Sequence, residues 1–158
     1  MERRKALMMR FAVLAVFALG LMAGEPVEIW TNADLKASAD RLAAEAQAKN
    51  IAGNTLGAWG NHSASLWRRA KSGEAELHKT KVDLIVVEDG AATLVTGGSI
   101  PDAHTTAANE VRGSSIRGGV SRKVGPGDII RIPPGTPHQF VLEKGQSISY
   151  FALKLAAR

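Results

Sequence analysis

Two histidines and two acids stand at spacings that would let them surround one metal ion. Glu76, His78 and Asp83 fall within a single eight-residue stretch, EL-H-KTKV-D, and His138 closes the later segment GDIIRIPPGTPH at residues 127–138. Imidazole nitrogen and carboxylate oxygen are the donors that Fe, Mn and Zn take from proteins. If residues 74–79 form a strand, Glu74, Glu76 and His78 share one face while Ala75 and Leu77 take the other. That leaves two alternatives: a solvated edge, or a polar cavity inside a barrel. The following run, Asp83-Leu-Ile-Val-Val87, is apolar on both faces and opens with an acid. A buried carboxylate must be neutral, paired or coordinated. In the later segment, Gly127-Asp128 turns into a strand, Pro133-Pro134-Gly135 ends it with a rigid bend, and Pro137 fixes the approach to His138.

These residues need a scaffold of short strands, and the sequence supplies turn residues at the right intervals. Strands are expected over about 54–60, 63–70, 74–79, 83–88, 91–97, 120–124, 128–132, 138–143 and 147–155, the pattern of an all-β sandwich or barrel. Glu88-Asp89-Gly90 and Glu143-Lys144-Gly145 put glycine where a hairpin needs positive φ. The stretch from Gly97 to Gly119 reads as one long irregular loop. Before the strands, Leu35, Ala39, Leu42 and Ala46 recur on one face of a helix expected over Ala33 to Lys49, with Thr31 or Asn32 as cap and Asn50 with Gly53 as stop. Its narrow, alanine-rich face suits a helix laid against the outside of a barrel or against a partner.

The chain has 158 residues, enough for one domain. Residues 1–24 join a basic leader to the apolar run from Phe11 to Ala23, the order of a secretory signal peptide. The run is short of the roughly 20 apolar residues that span a bilayer. The expected organisation is a signal peptide at 1–24, an extension with a helix at 25–53 and a barrel at 54–158, with a periplasmic or secreted location and no stable membrane insertion after cleavage. Cysteine is absent, so no disulfide supports the fold. Without the leader, which holds Arg3, Arg4, Lys5 and Arg10 against Glu2, the formal charge drops from +5 to +2. Such a balance speaks against a nucleic-acid partner.

Together the two stretches resemble the paired motifs of the cupin superfamily, in particular its small single-domain cupin 2 type. The family's first motif is His-x-His, a Glu five residues on and a Gly seven beyond that, and His78, Asp83 and Gly90 occupy those positions. Its second motif is matched in full by Gly127, Pro133, Gly135 and His138. Three positions depart from it: Glu76 stands at the first His, Asp83 at the Glu, and Leu142 at an Asn that often follows the last His. The resemblance covers residues 54–155. It implies a single jelly-roll β-barrel with the N-terminal helix packed outside, a homodimer, and one divalent transition metal (Fe, Mn or Zn) acting on a small organic molecule. Cupins usually hold their metal by three His and one Glu. Here the implied ligands are His78, Asp83 and His138, with Glu76 as fourth ligand or catalytic base, an arrangement related to the two-His, one-carboxylate set of non-haem iron oxygenases. The alternatives are a non-catalytic ligand-binding or sensor barrel and a metal-free, epimerase-like or isomerase-like cupin.

Other residues have plainer roles. His62 and His104 read as surface histidines, Arg68, Arg69, Arg112 and Arg117 as a solvated surface, and Trp59, Trp67, Phe140 and Phe151 as core or pocket wall. Arg131 is open between an inward position, pairing an anion, and solvent.

Overall fold

A computed structural model describes residues 25–157, so the expected leader lies outside the described residues. Helix α1 runs over Asn32–Lys49. Thr31 caps it in a reciprocal box with Asp34, whose backbone N–H donates to the Thr31 hydroxyl at 3.2 Å while the Asp34 carboxylate accepts from the Thr31 N–H at 3.0 Å. Asn50, in the left-handed conformation at φ 71°, ends it.

Eleven strands follow: β1 Ile51–Trp59, β2 His62–Arg69, β3 Ala75–His78, β4 Lys81–Gly90, β5 Ala92–Thr96, β6 His104–Ala107, β7 Glu110–Gly113, β8 Val120–Val124, β9 Ile129–Ile132, β10 His138–Val141 and β11 Ile148–Ala156. They form two antiparallel sheets, ordered β1-β2-β11-β4-β9 and β6-β7-β3-β10-β5-β8. This is a jelly roll with one helix outside, as the sequence predicts. Between the sheets lies a core that includes Ile85, Val87, Leu94, Phe140, Ile148 and Tyr150. The helix packs on β1 and β2 with Ala39 and Ala46 buried. Among the described residues no helix is long and apolar enough to cross a membrane.

Burial along β4 alternates strictly, with Asp83, Ile85 and Val87 inside and Val82, Leu84 and Val86 half-exposed. Only one face of this strand enters the barrel core, although both are apolar. Gly90 closes its hairpin at φ 76°, where a Cβ would collide with the Ser147 carbonyl oxygen.

One expectation fails. Residues 97–119 are not a structureless loop, for β6 and β7 form a hairpin around Asn109, at φ 65°, and β7 pairs with β3. The β6 residues are all exposed, so this strand lacks the apolar alternation by which strands are recognised.

Candidate functional site

Register builds the site. Across the β3–β7 pair Glu76 faces Arg112 and His78 faces Glu110. Across β10–β3 His138 faces Glu76, and across β11–β4 Lys154 faces Asp83. The bend at Pro133-Pro134-Gly135 is tied to the end of β3, because the Gly135 N–H donates to the His78 carbonyl at 2.8 Å. The two motif segments are therefore joined by their backbones as well as by their side chains.

Glu76, His78, Asp83 and His138 line one cavity of about 760 Å³. The question left by β3 resolves toward the polar cavity. Donor atoms of Glu76, His78 and His138 all lie within 4.8 Å of one another. Asp83 Oδ2 is 3.3 Å from His78 Nε2 and 3.6 Å from His138 Nε2. Both imidazoles are held from behind. His78 Nδ1 contacts the Glu110 carboxylate, and His138 Nδ1 lies 3.0 Å from the Thr136 carbonyl oxygen, an acceptor. Acceptors at Nδ1 select the tautomer whose Nε2 lone pair faces the cavity. Burial depresses His138 and keeps it neutral, despite the opposing pull of Glu76.

The acids are ionised for different reasons. Burial alone would push Glu76 up, but Arg69 and Arg112 outweigh it and hold the carboxyl below its ordinary value. Arg69 Nη2 donates to Glu76 Oε1 at 2.7 Å and Arg112 Nη1 lies 3.1 Å from Glu76 Oε2. Burial likewise pushes Asp83 up, while its contacts with His78 and the Lys154 ammonium bring it down to about 2. Lys154 Nζ is 2.9 and 3.2 Å from the two Asp83 oxygens and 2.7 Å from His78 Nε2.

Arg69 and Arg112 correct the expectation of a solvated surface. Arg69 is 7% exposed and its Nε donates to the Tyr150 hydroxyl at 3.0 Å. It sits near the β2 end, where the strand delivers its last side chain into the cavity instead of to solvent. Arg112 is carried inward by β7, and its buried Nη1 lacks a hydrogen-bond acceptor in proper geometry. Glu110 and Lys154 were not singled out in the sequence. The only signal for Glu110 and Arg112 is their i, i+2 spacing, which matches that of Glu76 and His78. Arg68 is half-buried, held by Asp89 and two serines, while Arg131 is exposed. His62 stacks on Trp59 with centroids 4.9 Å apart, and His104 is exposed on β6. Trp67 and Phe140 line the cavity, whereas Phe151 and Trp59 meet Trp30, at 6.3 and 6.2 Å between ring centroids.

No family model matches the sequence, and no curated protein matches it. Solved structures do. An uncharacterised protein with a double-stranded β-helix domain from Klebsiella pneumoniae is 12% identical over 70% of this chain and 80% of its own, with a TM-score of 0.51. A cupin-2 domain protein of Rhodospirillum rubrum is 13% identical over 69% and 62%, with a TM-score of 0.50. The fold is that of a cupin barrel. The polyketide cyclase RemF of Streptomyces resistomycificus is 23% identical over 68% of this chain and 66% of that one, with a TM-score of 0.50. The chain spans just under two thirds of the cyclase and of the Rhodospirillum protein. At these identities the likeness speaks for the barrel and its two sheets, and function does not follow from it.

Proposed function

We propose that this barrel is a metal-dependent cupin acting on a small organic molecule, with His78, His138 and Glu76 as ligands and Asp83 beside them. One observation carries the reading: both imidazoles are fixed at Nδ1, so their Nε2 lone pairs converge with carboxylates in one cavity. Such a donor set fits a divalent transition metal. Glu76 serves as ligand more readily than as general base, because two guanidiniums hold it ionised and make it a weak proton acceptor. A bound metal would supply Lewis acidity and an open coordination position. The chain's own groups do the rest: Glu110 and the Thr136 carbonyl fix the imidazoles, Trp67 and Phe140 provide apolar wall, and Arg69 and Arg112 hold Glu76 in place and ionised.

Two imidazoles and a carboxylate form the ligand set of non-haem iron oxygenases, so oxygenase chemistry is the reaction class proposed first. We also propose a homodimer in the periplasm or medium; the signal-peptide-like order of residues 1–24 and the apolar outer face of β4 support that reading. The test is metal analysis of untagged protein after exposure to Fe²⁺, Mn²⁺ and Zn²⁺. About one equivalent per chain is expected, lost in His138→Ala. Folded wild type that takes up none of the three would refute the metal reading. Oxygen uptake across catechols, flavonoids and keto acids then tests the reaction class. A second reading, a metal-free pocket for a small ligand, is favoured by one feature: Lys154 already places a cation among these donors.

A further inference from the structure

Among the described residues, Lys154 is the one lysine or arginine that reaches both a histidine and an acid of the donor set. It reaches them from β11, the strand whose register sets it opposite Asp83. Its Nζ lies 2.7 Å from His78 Nε2 and 2.9 Å from Asp83 Oδ1. A neutral imidazole has one lone pair at Nε2, and here that lone pair accepts the Lys154 N–H. A metal coordinated by His78 needs the same lone pair. The two cations therefore exclude each other at His78, by the count of lone pairs as well as by their mutual repulsion.

The remaining contacts favour exchange over permanent blockade. Lys154 has 26% of its side chain exposed, while Asp83 and His78 are almost wholly enclosed, at 6% and 4%. The long, unbranched lysine is thus the member of the cluster that can leave. Without it and without metal, two buried carboxylates, Asp83 and Glu76, would face each other across the imidazoles. Glu76 has Arg69 and Arg112, whereas among the described residues Asp83 is paired with the two imidazoles and with a single ammonium, that of Lys154.

Resting on the metal reading above, we propose that Lys154 is a tethered competitor for the metal: its ammonium neutralises Asp83 and blocks His78 in the empty barrel, and it must withdraw before a metal binds. Apparent affinity is then the intrinsic affinity multiplied by the fraction of molecules whose lysine has withdrawn. A site occupied by lysine nine times in ten binds about tenfold more weakly than the bare one.

The test is a titration with Zn²⁺ and Mn²⁺ against a chromophoric chelator at neutral pH, comparing wild type with Lys154→Met and with Lys81→Met. Lys81 also lines the cavity but is 3.9 Å from Glu110 and touches neither His78 nor Asp83, so it reports the general effect of one positive charge. The proposal expects Lys154→Met to bind at least about tenfold more tightly than wild type, and Lys81→Met to change far less. Equal or weaker binding by folded Lys154→Met, or an equal gain in Lys81→Met, overturns the competition while wild-type binding keeps the metal reading. Absence of binding in wild type and in both variants overturns both. Should Lys154→Met fail to fold, wild type alone decides by reductive methylation mapped by mass spectrometry. Saturating Zn²⁺ should raise labelling of Lys154 severalfold as it leaves the donors, and unchanged labelling overturns the proposal.

Discussion

Replacing Arg69 by methionine removes the charge that holds Glu76 while keeping an aliphatic stem of similar length. Arg69 Nη2 is 2.7 Å from Glu76 Oε1, and its Nε is 3.0 Å from the Tyr150 hydroxyl. The guanidinium also lies 5.8 Å from the centre of the Phe140 ring. At an effective dielectric of about 20, opposite charges 2.7 Å apart, as Arg69 and Glu76 are, attract by about 6 kcal/mol, most of which offsets the desolvation of both groups. Truncating one partner is a different matter, because the other stays buried. Arg69→Met leaves Glu76 with Arg112 alone and takes a hydrogen-bond donor from the buried Tyr150 hydroxyl. The expected loss is about 3–5 kcal/mol. At a urea dependence of about 2 kcal/mol per M, the midpoint should fall by about 2 M. Adding Glu76→Gln removes the stranded charge, so the double variant should regain at least about 1 kcal/mol relative to the sum of the two single losses. Equilibrium urea unfolding, followed by tryptophan fluorescence and circular dichroism together, measures all four proteins. A loss below about 1 kcal/mol in Arg69→Met, or strict additivity in the double variant, would show that the pair does not act as the buried, coupled unit described here.

Acidification tests the other acid. Asp83 falls from 3.8 to about 2 on folding, so its contribution of about 2.5 kcal/mol is present above pH 4 and is lost as pH drops through 2. Without metal, wild type should therefore lose stability more steeply between pH 4 and 2 than Asp83→Asn does, and parallel urea midpoints over that range would refute the assignment. His138, depressed by burial, adds an earlier decline that begins as pH falls below its unfolded value of about 6.5. For Glu110→Gln, which keeps the shape but weakens the acceptor at His78 Nδ1, metal affinity should fall about 10–100-fold in chelator competition. Unchanged affinity there would mean that Glu110 does not orient the imidazole.

Much of the framework was legible because it rests on local chemistry. The helix cap, the left-handed stop at Asn50 and the hairpin glycine Gly90 are each set by a few neighbouring residues; the structure chooses Thr31 over Asn32 as the cap and places Asn50 and Gly90 where the sequence does. The spacing of His78, Asp83 and His138 was equally readable, since turns and alternation fix which way a strand side chain points. The hairpin of β6 and β7 was not. Its first strand, β6, is exposed throughout, and β7 is held because β3 offers it an edge.

The sequence by itself determined the all-β architecture, the outer helix and the strands that carry two histidines and two acids, since periodicity and turn residues act over short range. Only the tertiary structure decided what surrounds them. Glu110 and Arg112 come from a strand that sequence reading took for loop, Arg69 from one thought to face water, and Lys154 from the last strand, 71 residues from Asp83. Each arrives through inter-strand register, a property of the assembled sheets that no single segment carries.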